Sequence, residues 1–263
     1  MIVLGIDTSG IAGSVALVED TQVLASFHLR QPSAFSSYLL RMIDLVCHQA
    51  GCQLSALAGI AVNLGPGAFT SLRVGLATAQ GLAMACGKPL VGWSTFDVLA
   101  RLVGWEGMIC PVLEARRGEV YAALYRRQGS VVHETTPGMV MTPEALCALI
   151  TERTLFLGSG VQTYRTVLTT ILGERAVCVE VEGIETGMAA AIARLGCTRL
   201  GEPAAAVWTP LTPLYIRPAD ARLPAHMAAL PAHASASLAQ APMSGSPEYR
   251  NQDQGGTSHA RRL

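Results

Sequence analysis

The stretch "NLGPGAFTSLRVGLATAQGLAMACG", residues 63–87, ends an apolar run, turns on Gly65-Pro66-Gly67 and enters an almost wholly apolar helix. A strand followed by a glycine turn and a helix places backbone where it can approach another group closely. Thr70 or Ser71 stands where a residue could cap the helix, and helix N-terminal amides form anion sites. The familiar phosphate motifs do not fit. A P-loop needs a Lys-Ser/Thr pair after its last glycine, and a dinucleotide fingerprint needs a third glycine where this chain has Thr70. A plain strand-to-helix turn is the competing reading. Beyond Leu72 and Arg73 the helix carries Gly75, Ala77, Ala79, Gly81, Ala83 and Ala85 among Leu76, Leu82 and Met84. A helix apolar nearly all round is buried on more than one face. Either it is a central core helix, or its small residues admit a helix from a second protein.

Working outward, 263 residues provide for a sizeable core, with 50% hydrophobic and 14% charged residues. The formal net charge of zero gives no global field toward nucleic acid or an acidic membrane. The doublets Arg116-Arg117, Arg126-Arg127 and Arg261-Arg262 lie far apart in sequence. Seven cysteines without a C-x-x-C pair argue against a disulfide framework or zinc ribbon, and most of them, such as Cys86 and Cys110, read as small core residues of a reducing compartment. The start, "MIVLGIDTSG", has no basic segment before its short apolar run, and no apolar run is long enough to span a bilayer. The expectation is a soluble, cytoplasmic protein.

Strand patterns at "IVLGI", "GSVALVE" and "QVLASFHL" precede a helix over about 36–50, strand "GIAVN", the quoted loop and helix, strand "PLVGW" and a short helix to about 103. The order then repeats. "MICPVLEA", "EVYAALYRR" and "SVVHE" lead to a helix capped at Thr142-Pro143, strand "TLFLG", a helix after Gly160, strand "AVCVEVE" and a helix from about 186. Two such units predict an α/β, actin-like (ribonuclease-H-like) duplicated mixed-sheet fold. The boundaries expected are 1–103, 104–221 and a Pro/Ala/Ser/Gly-rich, disordered tail over 222–263.

Candidate chemistry is sparse. Asp7 follows the first strand, where actin-like phosphotransferases place a carboxylate; the competing reading is an Asx turn through Asp7-Thr8-Ser9. Glu114 is its counterpart in the second half. His28, His48, His133, His226, His233 and His259 show no metal-ligand spacing, so no metal or cofactor is expected. "GSG" at 158–160 reads as a helix entry, not a nucleophile elbow.

Four ordered motifs carry a resemblance over about residues 1–221. "VLGIDTSG", "GPGAFTSLRVGLATAQGLA", "LEARRGEVYAALY" and "PLYIRPADA" are similar to the corresponding segments of the bacterial TsaB (YeaZ) family. The resemblance implies an actin-like fold and a non-catalytic partner of the TsaD subunit, in making N6-threonylcarbamoyladenosine (t6A) on tRNAs that read ANN codons. It also implies a TsaE ATPase subunit in the assembly, a homodimer when TsaD is absent, and tRNA reached through the complex. The TsaD contact is expected on the two N-terminal helices, through Leu39, Leu40, Ile43, Leu72, Arg73, Gly75, Leu76, Ala79 and Ala83. A nucleotide-like loop would comprise Asp7 with Gly65, Pro66, Gly67, Ala68, Phe69 and Thr70. The catalytic relative has an H-x-x-x-H metal motif where this chain reads "STFDVLARL", with Thr95 and Leu99 in place of the histidines. Ala68, Ser71, Glu114, Phe35 and Ser37 depart from the family pattern. The rival reading is an enzyme of the same fold, a phosphotransferase using Asp7 or a degenerate metallopeptidase.

Overall fold

The computed structural model describes residues 1–30, 35–180, 184–202 and 210–217. The tail expected to be disordered, 222–263, lies outside the described residues, as do His226, His233 and His259. Among the described residues ten strands form two five-stranded sheets. In the first, β1 (Ile2–Asp7), β2 (Gly13–Glu19), β3 (Gln22–Leu29), β4 (Gly59–Gly65) and β5 (Leu90–Ser94) lie in the order β3-β2-β1-β4-β5. In the second, β6 (Gly107–Glu114), β7 (Val120–Gln128), β8 (Val131–Met141), β9 (Thr154–Leu157) and β10 (Ala176–Cys178) repeat it as β8-β7-β6-β9-β10. Each central strand, β1 or β6, pairs antiparallel with the strand after it and parallel with the fourth strand of its sheet. This is the duplicated actin-like topology.

Helices cover both faces of each sheet, which is why β1 and β6 are apolar at consecutive positions instead of alternating. Helices α1 (Phe35–Gln49) and α2 (Phe69–Cys86) pack on the outer face of the first sheet, with Leu39, Ile43, Leu76 and Ala79 against Leu4, Ile6, Ile60 and Val62. Helices α4 (Pro143–Leu149) and α5 (Ser159–Leu172) do the same outside the second sheet, with Leu146 and Leu168 against Val112 and Phe156. Helices α3 (Thr95–Leu102) and α6 (Ile184–Leu200) share a third core with the inner faces of both sheets. There Val3, Ala16 and Ala61 meet Ala189 and Ile192, while Phe96 and Leu99 meet Ile109 and Tyr125. The last helix of the second half thus crosses back to the first sheet, and the two halves close on one common layer.

Local signals explain the helix ends. Ser94 caps α3 by accepting from Asp97 N at 3.0 Å. Thr142 caps α4 by accepting from Ala145 N at 3.2 Å, with Pro143 at the first helical position. Gly87 at φ 61° ends α2. Strand β10 is shorter than the "AVCVEVE" pattern, and β8 runs longer than "SVVHE". Among the described residues no helix is long and apolar enough to cross a membrane.

Candidate functional site: glycine loop and outer helix face

The glycine loop closes on its own chain. Asn63, the fifth residue of β4, is buried and uses its whole amide. Its Nδ2 donates to Asp7 Oδ1 at 2.8 Å and Ser9 Oγ at 3.0 Å, while its Oδ1 accepts from Gly65 N at 2.8 Å. Thr95 Oγ1 lies 3.0 Å from Asn63 Oδ1 and 2.9 Å from the Pro66 carbonyl, sharing one proton between two acceptors. Asp7 Oδ1 also accepts from Ser9 N at 3.1 Å, so the Asx turn considered for Asp7-Thr8-Ser9 forms. Ala68 N donates to the Ser9 carbonyl at 2.8 Å.

The close approach that the glycines permit is therefore made to Asp7-Thr8-Ser9. A Cβ on Gly67 would stand 2.3 Å from the Ser9 carbonyl oxygen, and one on Gly75 would stand 2.2 Å from Thr8 Oγ1. That hydroxyl donates to the Ser71 carbonyl at 2.7 Å and ties the first strand to α2. Helix α2 begins at Phe69 with Ala68 as its cap residue and no side-chain cap bond. This corrects the expectation that Thr70 or Ser71 caps it, since both already lie in its first turn.

A strap over 210–217 runs beside this loop. Leu214 N donates to the Leu64 carbonyl at 2.7 Å, and Gln80 Nε2 donates to the Leu211 carbonyl at 3.3 Å. Tyr215 packs on Phe69 with ring centroids 5.2 Å apart, Arg73 sits 4.6 Å over the Phe69 ring, and Arg217 pairs with Glu119. The cleft between strap and loop, lined by Pro66, Gly67, Phe69, Tyr121 and Arg217, has about 80 Å³ of room. Small-molecule sites are commonly about 300–1,000 Å³. Glu114, the expected counterpart of Asp7, is exposed at the end of β6, where its backbone N–H donates to Ser159 Oγ at 3.2 Å.

Thr95 and Leu99 have structural work. Thr95 holds the glycine loop, and Leu99 is buried in the central core. Among the described residues no group of three His, Cys, Asp or Glu side chains is arranged to hold a metal ion.

The residues expected to contact a partner divide sharply. Leu39, Ile43, Leu72, Leu76, Ala79 and Ala83 are buried within this chain, and Gly75 is buried against Thr8. These seven cannot present side chains to another protein, because the first sheet and the loop already occupy that face. Leu40, at 61% exposure, and Arg73 do face outward. The outward side of α2 runs Arg73, Ala77, Gly81 and Met84, the last 67% exposed. Beside it α1 exposes Tyr38, Leu40 and Leu45 among Arg41, Asp44 and His48. Asn63 was not singled out from the sequence, where a lone Asn closing an otherwise apolar strand was the available signal; the strap coincides in part with the "PLYIRPADA" motif, whose place beside the glycine loop the sequence did not show.

Comparison with known proteins agrees with this architecture. Residues 23–200 match the family model described as TsaD, tRNA N6-adenosine threonylcarbamoyltransferase. The TsaB protein of Escherichia coli is 35% identical over 149 residues, which cover 55% of this chain and 64% of that one. The match thus spans slightly under two thirds of that relative's length. The TsaB protein of Bacillus subtilis is 26% identical over 179 residues, covering 66% and 78%. Both are named tRNA threonylcarbamoyladenosine biosynthesis proteins. A solved Pseudomonas aeruginosa structure, of a protein with similarity to peptidase YeaZ, superposes with a TM-score of 0.67 at 27% identity, covering 82% of this chain and 99% of that one. The chain belongs to the TsaD (tRNA N6-adenosine threonylcarbamoyltransferase) family and, within it, is of the TsaB/YeaZ type.

Proposed function

We propose that this chain takes part in t6A biosynthesis on tRNA as a non-catalytic subunit that binds and activates a TsaD-type transferase. The observation that carries the reading is the outward side of α2. A solvent-facing helix surface is ordinarily charged, whereas Ala77, Gly81 and Met84 leave this one small and apolar. Small residues let a second helix approach closely, and Leu40, Leu45 and Tyr38 of α1 widen the apolar area beside it. The side chains of Thr95 and Leu99, where a catalytic relative would have metal-binding histidines, support a subunit without its own metal centre.

In this reading a TsaE-type ATPase joins through the assembly, tRNA reaches the chain through the complex, and the work takes place in the cytoplasm. Without TsaD, two copies associate through the same α1–α2 face. The test is co-elution of the chain with the TsaD-type subunit of its own genome, for the parent and for Met84→Glu and Leu40→Glu. The parent should form a stable heterodimer, and each variant should lose it with an unchanged circular dichroism spectrum. Undiminished co-elution of both variants would overturn the assignment of this face.

A further inference from the structure

Helix α1 ends in a left-handed cap built around two cysteines. Gly51, at φ 60°, donates its N–H to the His48 carbonyl at 3.1 Å, and Cys52 N donates to the Cys47 carbonyl at 3.0 Å. In such a cap the residues joined by the longer-range bond, here Cys47 and Cys52, stand on the same side of the helix end, where a side-chain contact between them is common. Both belong to the core cluster under α1, Cys47 within it and Cys52 at its edge. With standard backbone dimensions, an N···O separation of 3.0 Å cannot hold the two Cα atoms further apart than about 7 Å. That is about the limit beyond which two cysteines cannot be bridged without backbone movement. The thiols differ in access. Cys47 is buried, and burial, with lesser contributions from Cys52 and Asp44, pushes its thiol pKa up. Cys52 is half-buried, its thiol directed at the Gln53 carbonyl 3.5 Å away.

We propose that Cys47 and Cys52 form a reversible dithiol–disulfide pair that closes across the C-terminal cap of α1. The oxidant is a low-molecular-weight disulfide of the glutathione class. Cys52 thiolate attacks one of its sulfurs, forming a mixed disulfide and releasing the first small thiolate. Cys47, deprotonated in turn, attacks the Cys52 sulfur and releases the second. The two thiol protons pass to the two small thiolates, and the two electrons reduce the oxidant's S–S bond. Oxidation pins the last turn of α1 to the loop after it; a small thiol reverses it. The proposal stands on the cap geometry and does not require the partner assigned above.

The test treats the full reduced chain with oxidised glutathione under native conditions, alkylates the remaining thiols, and maps peptides by mass spectrometry. The parent should lose two hydrogens, show a Cys47–Cys52 cross-linked peptide and retain no glutathione. Cys47→Ser should stop at a stable glutathione adduct on Cys52, and Cys52→Ser should leave Cys47 free for alkylation after denaturation. A cross-link from Cys52 to another cysteine, a persistent adduct on Cys52 of the parent, or both thiols still alkylatable would each overturn the proposal. The parent result decides it even where a serine variant folds poorly.

Discussion

Two substitutions two residues apart on α2 should have opposite effects on the isolated chain. Gly81 is exposed, and a Cβ built there meets nothing within 4 Å. Replacing a mid-helix glycine by arginine recovers about 0.7 kcal/mol of helix propensity. For a domain of this size that raises Tm by about 2 °C. Ala79 is 0% exposed and packed against the first sheet. Arginine there overpacks the core and buries a cation without a partner, costing about 4 kcal/mol or more, which lowers Tm by roughly 10 °C. Binding to a TsaD-type partner separates the sites again. Gly81→Arg should be well folded yet bind at least about a hundredfold more weakly, equivalent to about 2.7 kcal/mol. Ala79→Arg should fail through its fold. Thermal unfolding by circular dichroism, followed by titration of the partner, reads both quantities. A parental Tm for Ala79→Arg, or clear destabilisation by Gly81→Arg, would refute the assignment of inward and outward faces.

Two further outcomes follow from the geometry. Asn63→Leu strips a donor from buried Asp7 and the acceptor from Gly65 N–H, so it should cost about 3–5 kcal/mol, read as a lowered urea midpoint; a loss below about 1 kcal/mol would contradict the latch. Glu134 has its pKa raised, first by desolvation and then by Asp97, so the folded chain holds that proton more tightly than the unfolded one. Its carboxylate therefore destabilises the fold once pH rises above the ordinary carboxylate range. Glu134→Gln should be the more stable form at neutral pH, with the advantage fading as pH falls through that range in parallel thermal melts.

Most elements were legible because their burial is periodic or continuous. The strands "IVLGI" and "MICPVLEA" are apolar at consecutive positions because helices cover both their faces. The α1 pattern of Leu39, Ile43, Val46 and Cys47 matches the side that packs on the sheet. The same reasoning failed for orientation. In α2 every face is small or apolar, so composition could not say that Ala79 points inward and Ala77 outward; the packing of the first sheet decides that. The crossing of α6 onto the first sheet depends on contacts between segments more than a hundred residues apart, such as Ala189 N donating to Ser14 Oγ at 3.2 Å. Local pattern cannot encode it. The glycine loop was recognised as a shape, but its occupant, Asp7-Thr8-Ser9 held by Asn63, needed the parallel pairing of β1 with β4 to be known.

The central claim, that the chain serves a TsaD-type transferase instead of catalysing a step, is tested most directly by reconstitution. The t6A content of a tRNA transcript would be measured after incubation with the TsaD-type subunit and the remaining components, with this chain, without it, and with Gly81→Arg. The account predicts modification with the parent chain and little without it or with the variant. Full modification in its absence would contradict the account.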